Sequence, residues 1–188
     1  VDDVLEEDVS AILGYYQTHG WVAAEVPDPS IAAGSSPVRL VVGITVKEGP
    51  RAVVATRRLE GSGDVDAGER DLRFLVEPGE PFNPNEVRQD VAMLQNHYRD
   101  HGWREAAVSG DWTLTTDGTS SEVVYSVELG ARSFFGKTIV RGNTRTESGR
   151  IRRLVSWDEG DPFSESELLQ TQRNLSRSGV FRRVVLEP

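Results

Sequence analysis

The chain has 188 residues, and its 30 acidic and 21 basic side chains leave a formal net charge of -9. A negative net charge repels nucleic-acid phosphates, so we expect no nucleic-acid partner. A composition of 37% hydrophobic and 27% charged residues is typical of a folded globular chain. No run approaches the roughly 20 apolar residues of a transmembrane helix. The lack of cysteine excludes disulfides and thiolate chemistry.

An internal repeat organises the sequence. The motif Tyr-x-x-His-Gly-Trp occurs at 16–21 and again at 98–103, a shift of 82 residues. A second set of positions recurs at a shift of 81, with Gly61, Gly79 and Phe82 matching Gly142, Gly160 and Phe163. This period predicts tandem modules rather than a short-repeat solenoid. We expect a partial repeat over 1–49 (second helix and last two strands), a complete one over 50–130 and a third over 131–188, truncated before its last strand.

The complete repeat predicts the order of elements. Residues 51–59 are rich in Val and Thr and form a first strand, followed by a first helix over 66–76 that ends at Pro78-Gly79. A second helix starts at Pro84, because Asn83 can cap it and Glu86 completes a capping box. Its predicted buried face contains Val87, Val91, Leu94 and Tyr98.

Gly102 supplies a left-handed stop for this helix. Two strands follow at 106–115 and 122–129, joined by a turn at 116–119 that contains Gly118. The unit is therefore β-α-α-β-β. We predict an α+β fold of tandem modules, each with a three-stranded mixed sheet and two helices on one face.

The third repeat reproduces this order with a shorter helix. Ser164 and Glu167 form the equivalent capping box, and the spacing from Leu175 to Gly179 makes the second helix one turn shorter than its counterpart. A strand over 180–186 follows. In the first repeat the equivalent strand covers 21–26, where Pro27 and Pro29 limit further pairing.

Catalytic and metal-binding patterns are weak. His97 and His101 lie four residues apart on a predicted helix, but His101 belongs to the repeated motif, which favours local packing over a metal site. Gly61-Ser62-Gly63 lacks a phosphate-loop pattern, and no nucleophile elbow is present. The acidic cluster at 2–8 fits a helix N-terminus. We therefore predict no enzyme activity, no metal and no cofactor.

The pattern resembles the polypeptide-transport-associated (POTRA) domain of outer-membrane assembly proteins of the BamA and TamA type. The third repeat carries the resemblance most clearly, in Phe135-Gly136-Lys137-Thr138-Ile139, Gly142-Asn143, Gly160-Asp161-Pro162-Phe163 and Gly179-Val180-Phe181. The positions that set this module are Gly61, Gly79, Phe82, Gly102, Trp103, Gly142, Gly160, Phe163, Gly179 and Phe181. The short helix followed by Gly-x-Phe is similar to that of the repeat nearest the membrane barrel.

The resemblance implies a periplasmic region that receives unfolded outer-membrane proteins by strand addition at an open sheet edge. The residues implied as edge candidates are Ala106, Val108, Gly110, Trp112, Thr113, Val180, Arg182 and Val184. It also implies accessory periplasmic lipoproteins or chaperones as partners, a C-terminal barrel in the parent chain, and a location on the periplasmic face of a Gram-negative outer membrane. A structural spacer, a two-partner secretion transporter and a division protein remain alternatives.

Charge is distributed unevenly along the repeats. Residues 131–188 hold eleven Lys and Arg against seven Asp and Glu, a net +4, whereas residues 1–130 hold ten against 23, a net -13. This asymmetry would favour a basic end that faces anionic head groups or a barrel mouth, although salt screens exposed charges within about 8–10 Å. The chain also begins without methionine or a signal-peptide pattern, which points to a segment of a longer protein.

Overall fold

Helices and strands both occur along the chain, as an α+β fold requires. The computed structural model describes residues 2–34, 40–61, 72–181 and 183–186. The elements are α1 (Asp2–Thr18), β1 (Ser30–Ala33), β2 (Leu40–Gly43), β3 (Val53–Glu60), α2 (Pro84–Asp100), β4 (Ala107–Leu114), β5 (Ser120–Glu128), α3 (Ser148–Arg152) and α4 (Glu165–Arg177). Within these described ranges, no helix is both long and apolar enough to cross a membrane.

The middle repeat contains the predicted three-stranded mixed sheet, in the order β3-β5-β4. Strands β4 and β5 form an antiparallel hairpin whose turn contains Gly118 at φ 70°. The Val53 N–H donates to the Thr119 carbonyl at the start of both β3 and β5, and Gly61 lies against Val127 near the end of both. These two contacts show that β3 runs parallel to β5, so the fold class is confirmed.

The buried side chains of this repeat follow the predicted periodicity. Val87, Leu94 and Tyr98 on α2 are all at most 1% exposed. On β5 every second residue is buried, and the inward-facing set is Ser121, Val123, Tyr125 and Val127. An alternating strand and a helix with one apolar face are the two surfaces that a small α+β core requires.

Both predicted helix caps are confirmed. The Asn83 Oδ1 accepts a hydrogen bond of 3.0 Å from the Asn85 N–H, and the Ser164 Oγ accepts one of 3.2 Å from the Glu167 N–H. These bonds satisfy N–H groups that a helix leaves unpaired in its first turn. Helix α2 has 17 residues and α4 has 13, so the predicted loss of one turn is also confirmed.

The helix predicted over 66–76 is absent from the described residues of that range. Residues 62–71 lie outside the described residues, and residues 72–76 are not helical. Their backbone is instead bound by a side chain, because the Leu75 and Val76 N–H groups both donate to the Asp90 carboxylate. The third repeat does contain its first helix, the five-residue α3.

Two predicted strands are wrong. Residues 21–26 contribute only an isolated bridge between Glu25 and Lys47, and the ladder resumes at β1 and β2, where Ser30 pairs with Gly43. The Ala24 N–H is already bound to the Trp21 carbonyl, and Pro27 and Pro29 have no N–H to offer.

Residues 180–186 form no strand among those the structure describes. In the middle repeat the equivalent strand β4 takes its hydrogen bonds from β5, the central strand that follows it. No strand follows residues 180–186 within the described part, so their backbone has no ladder partner there.

The chain divides into two compact units. The first contains Val1–Glu60, Leu72–Val91 and Gly110–Tyr125, and the second contains Gly61–Asp71, Ala92–Ser109 and Ser126–Pro188. The repeat boundaries near residues 50 and 131 stay a prediction.

Candidate functional site

The candidate site is the outer edge of β4, the second strand of the complete repeat. In the sheet order β3-β5-β4, β4 has β5 on one side. Among the residues that the structure describes, no strand pairs with its other side. An uncovered strand edge offers N–H and C=O groups in a row to any extended chain.

The opposite edge of the same sheet is covered where β3 begins. The Val54 N–H donates to the Glu80 carbonyl at 2.9 Å, and the Gly79 N–H donates back to the Val54 carbonyl at 2.8 Å. The Phe82 N–H also donates to the Ala52 carbonyl at 3.0 Å. The 79–82 segment therefore occupies this part of the β3 edge and leaves the β4 edge as the better candidate.

The hairpin register identifies which backbone groups of β4 face outward. The Thr115 N–H donates to the Ser120 carbonyl at 2.9 Å. Since the direction of the N–H groups alternates along an antiparallel strand, the odd-numbered residues of β4 bond to β5. The N–H and C=O groups of Val108, Gly110 and Trp112 therefore point away from the sheet.

The side chains of these three residues face the helix side. A Cβ added to Gly110 would lie 2.7 Å from Val91 Cγ2 and 2.9 Å from Val87 Cγ1, both on α2. The Trp112 ring centroid lies 5.7 Å from that of Phe82. The opposite face of β4 is exposed at Ala107, Ser109, Asp111 and Thr113. A strand added here would meet a regular backbone edge with small side chains on its open face.

The remaining candidates occupy other positions. Ala106 is buried ahead of the strand, where its N–H donates to the Trp103 carbonyl, and the N–H of Thr113 belongs to the side that faces β5. Val180 is 59% exposed and Val184 is half-buried, both outside any strand. Arg182 lies outside the described residues.

A buried carboxylate on α2 supports the sheet, and no sequence motif marked it. Asp90 is fully buried, and its carboxylate accepts hydrogen bonds from the Leu75 N–H, the Val76 N–H and the Tyr125 hydroxyl at 2.8, 3.0 and 2.8 Å. Burial and the bond to Asp90 raise the pKa of Tyr125. The sequence repeat could have marked this position, because Thr171 lies 81 residues after Asp90. Its hydroxyl likewise accepts a hydrogen bond from a backbone N–H, that of Ser156, at 2.9 Å.

The repeated motif forms the same joint twice, once within each unit. In the first joint the Ala52 N–H donates to the Gly20 carbonyl at 2.8 Å, and the Arg51 guanidinium lies 4.8 Å from the Trp21 ring centroid. In the second joint the Ser133 N–H donates to the Gly102 carbonyl at 2.7 Å, and the Arg132 guanidinium lies 4.9 Å from the Trp103 ring centroid.

Asp100 makes a further connection in the second joint. Its Oδ1 accepts hydrogen bonds from the Ser166 N–H at 2.8 Å and from the Ser164 Oγ at 3.2 Å. The end of α2 thereby caps the start of α4. The first joint has Thr18 at the equivalent position, and its hydroxyl donates to carbonyls of its own helix.

The predicted structural motif occupies turns and the core. Its six glycines all have positive φ, from 67° to 101°. Phe82, Trp103 and Phe163 are buried, and Phe181 is half-buried. At Gly61 the constraint is also steric, because an added Cβ would overlap the Val127 carbonyl oxygen.

Each histidine of the repeated motif contacts a backbone carbonyl four residues earlier in the chain. The His101 Nδ1 lies 2.7 Å from the His97 carbonyl oxygen, and the His19 Nδ1 lies 2.7 Å from the Tyr15 carbonyl oxygen. The same contact thus recurs where the first residue is not a histidine, which fits the predicted packing role. Across the described ranges, no group of three His, Cys, Asp or Glu side chains is arranged to hold a metal ion.

Comparisons with known proteins match this architecture. The model of the POTRA family, described as surface antigen variable number repeat, matches residues 60–130 and 134–188. The outer membrane protein assembly factor BamA of Nitratidesulfovibrio vulgaris (strain Hildenborough) is 25% identical over 191 residues, which cover 99% of this chain and 24% of that protein. BamA of Neorickettsia risticii (strain Illinois) is 23% identical over 184 residues, which cover 97% of this chain and 24% of that protein.

Solved structures show the same fold. The crystal structure of Haemophilus influenzae BamA POTRA3-5 matches with a TM-score of 0.59 at 19% identity, covering 96% of this chain and 72% of that one. The crystal structure of BamA from Haemophilus ducreyi lacking POTRA domains 1-3 matches with a TM-score of 0.56 at 20% identity, covering 74% and 25%. The chain spans about a quarter of the length of the curated relatives it matches.

Proposed function

The chain belongs to the POTRA family, and on this premise we propose that it is the periplasmic protein-binding region of an outer-membrane β-barrel assembly factor. Its clients are unfolded outer-membrane proteins, which it receives by strand addition along β4. Accessory periplasmic lipoproteins or chaperones dock on the same region, and a membrane barrel follows in the parent chain. Similarity to BamA over 99% of the chain supports this assignment.

The observation that carries the proposal is the contrast between the two edges of the β3-β5-β4 sheet. The start of β3 is bonded to the 79–82 segment, whereas β4 is bonded on one side only within the described structure. Backbone pairing depends little on the client's side chains, so one edge can accept many sequences. Such tolerance suits a carrier of strands that share only an alternation of apolar and polar residues.

The test uses a proline at one outward amide on each edge. Val108→Pro removes an N–H that faces away from β5, and Thr56→Pro removes an equivalent one on β3, whose even-numbered residues face away from β5. Proline is tolerated on edge strands, so both variants are first checked for folding by circular dichroism. The full chain is then titrated by NMR with an extended peptide of about ten residues that alternates apolar and polar side chains.

We expect Val108→Pro to weaken peptide binding about ten-fold, the effect of a lost hydrogen bond and a ring in the binding path. Thr56→Pro should bind as the parent chain does, and shifts should cluster in β4. Equal affinity for Val108→Pro and the parent chain would exclude the β4 edge. A loss confined to Thr56→Pro would move the binding site to β3.

A second candidate function is a structural spacer that holds accessory proteins on its helix faces. The two joints favour it, because each fixes a helix end to the following segment with one backbone hydrogen bond and one cation-π contact. In the titration above, a spacer would show no peptide-induced shifts in β4.

A further inference from the structure

The third repeat contains an arginine segment, residues 141–153. Its sequence includes one carboxylate, Glu147, and has a net charge of +4. The five basic residues are Arg141, Arg145, Arg150, Arg152 and Arg153, and all five are exposed. The segment includes α3 and the loop that leads into it.

The same positions of the middle repeat carry the opposite charge. At the repeat shift of 81, the counterpart of the arginine segment is residues 60–72, which contain five acidic residues and one arginine, a net -4. A hydrogen bond outside the two segments repeats at the same shift of 81, since the bond from Leu75 to Asp90 corresponds to that from Ser156 to Thr171. A position of the sequence repeat that takes either sign does not require arginine, so the basic charge calls for another explanation.

The arginines are displayed on an ordered support. The Asn143 Nδ2 donates to the Thr146 carbonyl at 2.8 Å and to the Ser148 Oγ at 3.0 Å, which fixes the loop before α3. Ile151 is 7% exposed and anchors the helix. Arg150 Nε lies 4.0 Å from the Glu147 carboxylate, and the two side chains are 76% and 85% exposed. Such a pair is weak and leaves the local positive charge available to a partner.

Apolar side chains adjoin these charges. Arg145 and Arg150 line a shallow groove together with Leu154, Val180 and Phe181. Val180 is 59% exposed, and Phe181 is half-buried. A surface that combines guanidinium groups with exposed aliphatic carbon fits the interface of a lipid bilayer, which offers phosphate oxygens and apolar carbon together.

We propose that the arginine segment and its groove bind the surface of a bilayer that contains anionic phospholipids. The alternative partner is a second copy of the chain, whose 60–72 segment is acidic. That segment contains only three apolar side chains, Val65, Ala67 and Leu72, so it matches the apolar part of the groove less well than acyl carbon does. The local +4 acts on a membrane despite the net charge of -9 on the whole chain, because physiological salt limits repulsion from the remaining chain to about 8 Å.

The test is flotation of the full chain with vesicles at physiological salt. One set contains phosphatidylglycerol and phosphatidylcholine, and the other contains phosphatidylcholine alone. The patch variant is Arg145→Gln, Arg150→Gln and Arg153→Gln. The control is Arg58→Gln, Arg73→Gln and Arg88→Gln, which removes the same charge from exposed arginines elsewhere.

We expect binding to anionic vesicles only, lost on addition of high salt. Each neutralised arginine of the segment should lower the partition coefficient about five-fold, so the patch variant should bind on the order of 100-fold more weakly. The control should retain binding. Equal binding by the patch and control variants, equal binding to both vesicle types, or no flotation of the parent chain would overturn the proposal, as would dimerisation abolished by the patch substitutions.

This inference rests on the proposed function only in placing the chain beside a membrane. The two fail separately, because the patch variant leaves β4 intact and should still bind the extended peptide. Peptide binding without flotation would remove the lipid proposal alone. Flotation without peptide binding would remove strand addition alone.

Discussion

The Tyr125 hydroxyl donates a 2.8 Å hydrogen bond to the buried Asp90 carboxylate and so ties the central strand of the sheet to α2. Asp90 also accepts from the Leu75 and Val76 N–H groups. Three donors compensate for the desolvation of one buried carboxylate, which would otherwise oppose folding strongly. This cluster joins a helix, a strand and an irregular segment behind the proposed binding edge.

Tyr125→Phe should destabilise the first unit by about 2 kcal/mol, the usual contribution of a hydrogen bond to a charged group. Urea denaturation followed by circular dichroism measures the change in the free energy of unfolding. Tyr16→Phe is the matched control, because the Tyr16 hydroxyl donates to Glu48 on the exposed surface. Equal effects of the two substitutions would contradict the role given to Asp90.

Tyr125 should also produce an alkaline limit to stability. Burial and the bond to Asp90 raise its pKa above the ordinary value of 10.0, so the folded chain retains the phenolic proton that the unfolded chain releases. Stability from this group is complete below about pH 10 and declines above it, by at most about 1.4 kcal/mol per pH unit. Denaturation of the parent chain and Tyr125→Phe at pH 8 to 11 should show a shallower decline for the variant. An equal decline in the free energy of unfolding for the two chains would contradict the role given to Tyr125.

Gly110→Ala should destabilise the chain by about 1–3 kcal/mol, because an added Cβ would approach Val91 and Val87 on α2 to 2.7 and 2.9 Å. Gly136→Ala is the control, since a Cβ there meets no atom within 4 Å. Thermal unfolding of both variants measures the difference. A Gly110→Ala chain as stable as the parent would show that β4 moves away from α2 without cost.

Asp100→Ala should weaken the start of α4 by about 1 kcal/mol, the typical cost of losing a helix cap. The Asp100 carboxylate accepts from the Ser166 N–H at 2.8 Å. Hydrogen exchange should therefore accelerate at Ser166 in the variant, while the amides of α2 keep their protection. Asp28→Ala, at an exposed loop position, provides the control. Unchanged exchange at Ser166 would mean that the Ser164 cap suffices alone.

Removing the charge of Glu167 should stabilise the second joint slightly. Burial, followed by the negative charges of Asp161 and Asp100, raises the pKa of this carboxyl. A raised carboxyl pKa means that ionisation above that pKa costs stability. Glu167→Gln should gain a few tenths of a kcal/mol at pH 7 and nothing near pH 4, because solvent still screens the charge of this half-buried group. A gain of equal size at both pH values would show that charge is not its cause.

The sequence alone determined the features that depend on local chemistry. Asn83 and Ser164 cap α2 and α4 as predicted, and the four-residue difference in helix length follows from the spacing of Leu175 and Gly179. The 81-residue period predicted the repeat, and the two joints share one backbone hydrogen bond and one arginine–tryptophan contact. Caps, turns and helix periodicity involve residues within a few positions of one another, so a linear pattern records them.

Tertiary structure decided everything that depends on a partner distant in the sequence. Residues 180–186 have a strand-like composition, but no strand pairs with them in the described chain. The Leu75 and Val76 N–H groups are bound to a carboxylate 15 and 14 positions away, and local propensity holds no information about that contact. Covering of the β3 edge by residues 79–82, which leaves β4 as the candidate site, likewise appears only in three dimensions. A strand acquires its stability from the neighbour that pairs with it, and the choice of neighbour belongs to the fold as a whole.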